Sequence, residues 1–143
     1  MKRFRLSLMV ICFTFFVSIA YAQTGTLTVQ ISEIQGNEGK ISVGLYTNAE
    51  NFPNAEKSYK GQMVEVTGEK AVATFKDIPV GTYGVAVFHD ANSNGELDKN
   101  FFGIPKEGYA FSNNVSGTFG PPDFEDASFK LDGNKTVKIK MGY

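Results

Sequence analysis

Five oxygen-bearing residues recur at alternate positions in the segment His89-Asp90-Ala91-Asn92-Ser93-Asn94-Gly95-Glu96-Leu97-Asp98: Asp90, Asn92, Asn94, Glu96 and Asp98. This is the spacing by which one loop wraps a hard cation, with oxygens at the first, third, fifth, seventh and ninth positions and glycine at the sixth to turn the chain. Gly95 stands at the sixth position, Glu96 would contribute its main-chain carbonyl, and Leu97 supplies the apolar side chain such loops turn inward. Calcium is the ion this chemistry fits, because many protein oxygens without a phosphate suit a larger and more flexible cation than magnesium. The twelfth position, where a helix-loop-helix site carries a bidentate glutamate, is Phe101, and the residues ahead of the loop alternate like a strand, so a standard EF-hand is excluded. Water, Glu107 reaching back, or a carbonyl between Phe101 and Tyr109 would have to complete the shell. With only Asp90 and Asp98 as certain carboxylates, the expected dissociation constant is about 10⁻⁴ to 10⁻³ M, as in extracellular modules. The same residue types also build a tight surface turn by hydrogen-bonding their own backbone without any ion, and the sequence leaves both outcomes open.

His89 is the only histidine and the natural general acid or base of any enzyme. In a strand its neighbour Asp90 points to the opposite face, so the adjacent pair cannot form an orienting dyad. Ser112 and Ser116 lack the G-x-S-x-G context of an activated nucleophile. His89 is therefore expected to hold the loop through hydrogen bonds to backbone groups. The alternative is a small secreted hydrolase using His89 with Asp90, Asp98 or Glu107.

Between Phe101 and Asp126, six aromatic residues lie among glycines and three prolines. A structureless loop of that length is rare in a compact domain. Either these rings fold back over the open end of the domain as a second small core, or some stay exposed as a binding platform. The first is favoured, because many exposed aromatics would invite aggregation. A ligand site is expected between this lid and the ion loop, where Tyr109, with Phe111 near it, would stack on a sugar ring or a peptide.

Lys2, Arg3 and Arg5, the apolar run Leu6 to Ile19, and Ala20-Tyr21-Ala22 have the form of a cleaved signal peptide over residues 1–22. The apolar run is short against the roughly 20 residues needed to span a bilayer, so no membrane span is expected in the mature chain. Cys12 lies inside that run behind Val10-Ile11, without the small residue that precedes a lipid-modified cysteine, and the mature domain has no cysteine for a disulfide, a thiolate nucleophile or a zinc site. Residues 23–143 suffice for one domain with one core. Removing the three basic leader residues leaves 11 Lys and Arg against 15 Asp and Glu, an acidic balance that argues against nucleic acid. A monomeric protein of the periplasm or the extracellular space is expected, meeting a cell-envelope component, a glycan or a peptide.

Leu27, Val29 and Ile31 alternate with polar residues, predicting a strand from about Gly25 to Ile34, with Lys40 to Tyr46 returning as the second arm of a hairpin. Thr47 to Gly61 reads as a loop with a helical turn near Asn54 to Lys57 and Phe52 tucked beneath it. Met63 to Val66, Ala71 to Phe75 and Thr82 to Phe88 read as further strands, and Ala127 to Leu131 with Thr136 to Met141 as a closing hairpin. Alternating Lys135, Lys138 and Lys140 would protect an edge strand. About seven short strands without an amphipathic helix predict an all-β antiparallel sandwich, with an open barrel as the alternative and a long ordered loop after the fifth strand.

Phe75-Lys76-Asp77-Ile78-Pro79-Val80-Gly81-Thr82-Tyr83 resembles the corner of transthyretin-like sandwiches, whose topology is immunoglobulin-like. The ion loop, then Gly103-Ile104-Pro105-Lys106-Glu107-Gly108-Tyr109-Ala110-Phe111-Ser112-Asn113-Asn114, and Pro122-x-Phe124-Glu125-Asp126-Ala127, resemble a bacterial secreted family known as domain of unknown function 2141. The resemblance covers essentially the whole mature chain. It implies a small exported β-sandwich and attaches no activity, substrate or partner.

Overall fold

The computed structural model describes residues 22–143; the leader peptide expected over residues 1–22 falls almost wholly outside them. Among the described residues eight strands form two facing sheets: β1 (Thr24–Ser32), β2 (Lys40–Tyr46), β3 (Lys60–Glu65), β4 (Ala71–Pro79), β5 (Gly81–Asp90), β6 (Tyr109–Phe111), β7 (Phe129–Leu131) and β8 (Lys135–Lys140). One sheet has the order β4-β1-β8, the other β3-β2-β5-β6, with β7 pairing the start of β5. An all-β sandwich is what the alternation predicted, and the strand beyond the expected seven is β6, inside the long loop.

Two local pairings differ from expectation. β1 and β2 are not a hairpin: β1 pairs β4 and β8 in one sheet, whereas β2 pairs β3 and β5 in the other. Likewise β7 joins β5 and β8 joins β1, and this last pairing is parallel, so the smaller sheet is mixed. Turn residues between two alternating runs mark a reversal of the chain, but the reversal here also crosses from one layer to the other. Each layer change puts one apolar face of each strand onto the same core, which an isolated two-stranded hairpin could not do.

That core is made by Leu27, Val29 and Ile31 of β1, Phe75 and Ile78 of β4, and Val137 and Ile139 of β8, facing Ile41, Val43 and Leu45 of β2 and Val85 and Val87 of β5. Phe75 and Ile78 are three residues apart and would face opposite sides of a regular strand. A register shift opposite Gly25 to Leu27, with Asp77 at φ 55°, inserts the extra residue that returns both to the interior. The corner then closes on itself, because Tyr83 lays its ring near Gly81 and donates its hydroxyl to the Pro79 carbonyl at 2.7 Å.

The open sides of the sandwich are sealed by amide side chains. Gln62 of β3 both donates to and accepts from the backbone of Thr74 in β4, and Asn114 accepts from the Lys140 N–H while donating to the Lys138 carbonyl on β8. Each amide stands in for a strand that is not there, satisfying an edge that would otherwise pair with another chain. A backbone bridge between Tyr109 and Gly142 joins the two sheets on the β6 side, so the sandwich approaches the barrel closure that was the alternative.

Tyr46 is buried on the outer face of β2, donates to the Pro53 carbonyl at 3.0 Å, and has its hydroxyl pKa pushed up to about 12 by burial. Burial also raises Tyr83, helped by neighbouring Tyr59, and Tyr143, where the Gln35 N–H pulls the other way. A raised folded pKa leaves its stabilisation intact below the unfolded value of about 10 and removes it as pH climbs through the folded value. Chemical denaturation is therefore expected to show level stability to about pH 9 and a fall between about pH 10 and 12. Tyr46→Phe should flatten part of that fall; an identical slope in the variant would contradict the assignment.

Candidate functional site

The strand β5 carries the site, and its alternation decides what each residue does. Tyr83, Val85, Val87 and His89 face the core, whereas Gly84, Ala86, Phe88 and Asp90 face outward from the larger sheet. The register brings Tyr109 opposite Phe88 and Phe111 opposite Ala86, so these aromatic residues stand on the same outer face, as do Ser42, Gly44 and Tyr46 of β2. Several of these positions are small for a reason. A side chain on Gly44 would strike the Tyr46 ring, and one on Gly84 would press on Phe124 at 3.0 Å.

Ser42, Gly44 and Ala86 form the floor of a trough of about 690 Å³ across the larger sheet. One wall is the 47–61 loop, with its 3-10 turn Ala55–Lys57 capped by Asn54; the other is Gly95, Glu96 and Leu97 of the ion loop together with Gly103 and Pro105. Phe52 closes one end as the hub of an aromatic cluster, with ring centroids 5.3 Å from Tyr46, 5.6 Å from Phe111 and 5.7 Å from Phe124. Tyr109 lies at the rim, partly exposed and edge-on to Phe111 at 5.9 Å.

The long segment behaves in both of the ways its composition allowed. Phe111 and Phe124 are buried, and Ser112 within it is fully buried, accepting from Val85 N–H at 2.9 Å and donating to the Ala127 carbonyl. Phe111 is thus a strand residue in the second small core and not an open lid. Phe101, Phe102 and Phe119 are exposed.

In the ion loop, Asp90 is 1% exposed and its two carboxylate oxygens accept from Asn94 N–H at 3.0 Å and Gly95 N–H at 2.8 Å. Asn92 accepts from Asn94 N–H, and Asn94 accepts from Glu96 N–H, each through its side-chain oxygen. Gly95 has φ 84°, the left-handed turn that glycine takes without strain. Both amide nitrogens meet Asp98, Asn92 at 2.7 Å and Asn94 at 3.1 Å, so Asp90, Asn92, Asn94 and Asp98 converge. Glu96 contributes its N–H to this turn, and its carbonyl accepts no hydrogen bond from the described residues.

Glu107 does reach back, but to the two ends of the loop and not into its centre. It accepts from Ala91 N–H and from Asp98 N–H, both at 3.0 Å, and so staples the loop closed. No cationic side chain balances these carboxylates: among the described residues the ion pairs are Lys40 with Glu65 and Lys140 with Glu33. Nor do three or more His, Cys, Asp or Glu side chains among them come together with the geometry to hold a metal. A cation here would take oxygens from two aspartates and two asparagines, at the expense of the two amide contacts to Asp98. The hydrogen bonds just given satisfy the loop as a turn in its own right.

His89 is 3% exposed, with Nε2 at 2.8 Å from the Glu38 carbonyl and Nδ1 at 2.8 Å from the Tyr143 hydroxyl. A carbonyl only accepts, so Nε2 carries the proton; Tyr143, which also accepts from Gln35 N–H, can then donate to Nδ1. The histidine was expected to brace the ion loop through backbone groups. It instead ties the 35–39 turn to Tyr143, on the other face of the strand from Asp90. Both ring nitrogens are committed, and neither hydrogen-bonds to Ser112 or Ser116. Tyr143 escaped sequence reasoning, and Ser112 was weighed there only as a nucleophile, because nothing in their own neighbourhood reveals a partner far along the chain; the polar run Ser112-Asn113-Asn114 amid aromatics was the available signal.

Replacing His89 by alanine leaves the Glu38 carbonyl and the Tyr143 hydroxyl without their partner and opens a cavity at the rim of the core. Denaturant unfolding should show a loss of about 2–4 kcal/mol. A loss under about 0.5 kcal/mol would contradict the latch.

Comparison with curated proteins and with solved structures returned no match. A family model described as an uncharacterized protein conserved in bacteria matches residues 29–140, from the middle of β1 to the end of β8 and so across both sheets and the ion loop. The chain belongs to this bacterial family, DUF2141.

Proposed function

We propose that the protein is an exported, non-enzymatic binding module of the cell envelope, in which the trough across the larger sheet takes an extended glycan or peptide and the Asp90–Asp98 loop, holding calcium, stiffens one wall. The trough carries this reading. Its volume of about 690 Å³ lies in the range of ligand sites, and it combines aromatic faces (Tyr109, Phe111) with polar groups from Ser42, Asn54 and Glu96. Tyr109 offers a ring to a sugar or peptide plane while its backbone is held at both Phe88 and Gly142. Among the described residues no helix is long and apolar enough to cross a membrane.

Calcium would enter where Asp90, Asn92, Asn94 and Asp98 already converge, with the Glu96 carbonyl as the further oxygen. Among the described residues no lysine or arginine is paired with these carboxylates, which favours a cation as their counter-charge. The alternative, a hydrolase built on His89, loses its support from the geometry. A general base needs a nitrogen open to substrate, and His89 is buried on the core side of β5 with both nitrogens engaged.

Thermal melting with calcium and with EDTA tests the metal. At about 10 mM calcium, a site of about 10⁻⁴ to 10⁻³ M should add about 1.4–2.7 kcal/mol, a rise of several degrees. Asp98→Asn should abolish the rise, while the loss of one amide contact lowers stability in EDTA by only about 1 kcal/mol. A melting temperature indifferent to calcium would remove the ion from this reading. For the trough, NMR titration with soluble peptidoglycan fragments and with short peptides should move the Ser42, Ala86 and Tyr109 signals, and Tyr109→Ala should weaken binding about tenfold. Unmoved signals with every probe would overturn the binding function.

A further inference from the structure

The residues just beyond the ion loop form a second hairpin, Lys99 to Lys106, whose character is opposite to that of the loop it grows from. Phe101 is 97% exposed, Phe102 81% and Ile104 59%, three large apolar side chains at one apex. A contiguous exposed apolar cluster on a small domain marks a surface that something else covers.

The apex is built to leave water. Asn100 accepts from both Phe102 N–H (2.9 Å) and Ile104 N–H (3.0 Å) through its side-chain oxygen, while its own N–H donates to the Ile104 carbonyl and its carbonyl accepts from Gly103 N–H. A Lys99–Pro105 bridge and the Lys106 N–H on the Asp98 carbonyl close the stem. The tip's N–H donors at residues 102, 103 and 104 are thus satisfied within the turn. Transfer of backbone into an apolar phase costs several kcal/mol for each unsatisfied group, and for these three donors the turn has removed that cost in advance. The Phe101 and Phe102 rings brace each other edge to face at 5.5 Å, which holds them as one wedge.

Two lysines flank the wedge, Lys99 and Lys106, and neither is in an ion pair among the described residues. The nearest carboxylates, Asp98 and Glu107, have both oxygens turned to donors of the loop behind. An apolar tip between two unpaired ammonium groups is complementary to a layer that is apolar inside and anionic at its surface.

We propose that Phe101, Phe102 and Ile104 insert into the interface of a lipid bilayer, with Lys99 and Lys106 against anionic headgroups, so that this hairpin seats the protein on a membrane surface. The chain contains no tryptophan, so Phe102→Trp places a single indole at the tip. With vesicles of phosphatidylethanolamine and phosphatidylglycerol, in EDTA so that loop occupancy plays no part, the indole emission should shift to the blue and be quenched by brominated acyl chains. In co-sedimentation, Phe101→Ser with Phe102→Ser should reduce binding at least about tenfold, and Lys99→Glu with Lys106→Glu should reduce it about fivefold or more at low salt. The affected side chains are exposed, so the melting temperatures of these variants should match the parent and exclude misfolding as the cause. An unshifted indole, or vesicle binding indifferent to the serine variant, overturns the proposal. So does self-association that the serine variant abolishes in the absence of any vesicle binding, which would assign the tip to a second copy of the chain.

Discussion

The alternation of one strand at its last two positions is the constraint on which the remaining structure depends. At the end of β5, His89 must face the core and Asp90 the outer surface, and both are buried nevertheless. A buried imidazole and a buried carboxylate each require partners, because an unpaired polar group away from water costs several kcal/mol. The surrounding chain is arranged to provide them. The 35–39 turn brings the Glu38 carbonyl and the 142–143 segment brings the Tyr143 hydroxyl to the histidine, while the 91–98 loop folds back to give Asp90 two N–H donors. Gly39 shows how tightly this is drawn, since a Cβ there would collide with the backbone of Asp90 and Ala91.

From that fixed point the outer face follows. With the ion loop anchored at one end of β5 and Phe52 packed over the small residues toward the other, the larger sheet is left with a trough between two loops. The loops are held by specific acceptors: Glu107 on the ion loop, Asn54 on the opposite wall, and Asn100 on the exposed tip. Amide and carboxylate side chains do for these segments what a neighbouring strand does for the sheets. Gln62 and Asn114 extend the same solution to the edges, and Asn113 extends it to the carbonyls of Asp126 and Ser128.

Much of this was legible in the residues. Alternation located the strand cores to within a few positions, the corner at Phe75 to Tyr83 appeared where the proline and glycine placed it, and the Asp/Asn spacing identified a loop whose side chains do converge. Pairing was not legible. Whether β1 turns into β2 as a hairpin or crosses to the other layer depends on which apolar faces meet, and the inward faces of β1 and β2 are similar rows of Val, Ile and Leu. The parallel pairing of β1 with β8 brings together residues over a hundred positions apart, such as Leu27 and Lys135, and leaves no local trace. The fates of the aromatics diverged for the same reason: Phe111 and Phe124 meet Phe52, a contact no spacing encodes, whereas Phe101 and Phe102 sit on a hairpin pointing away from it.

On the proposed reading, the four side chains meeting at the end of β5 hold a cation as well as closing a turn. A crystal structure grown in about 10 mM calcium tests it most directly. The expected result is an ion bound by Asp90, Asn92, Asn94, Asp98 and the Glu96 carbonyl at about 2.3–2.6 Å, with the two asparagine oxygens turned onto it and their nitrogens withdrawn from Asp98. A loop still closed by the amide contacts to Asp98, with no ion between the four side chains, would contradict it.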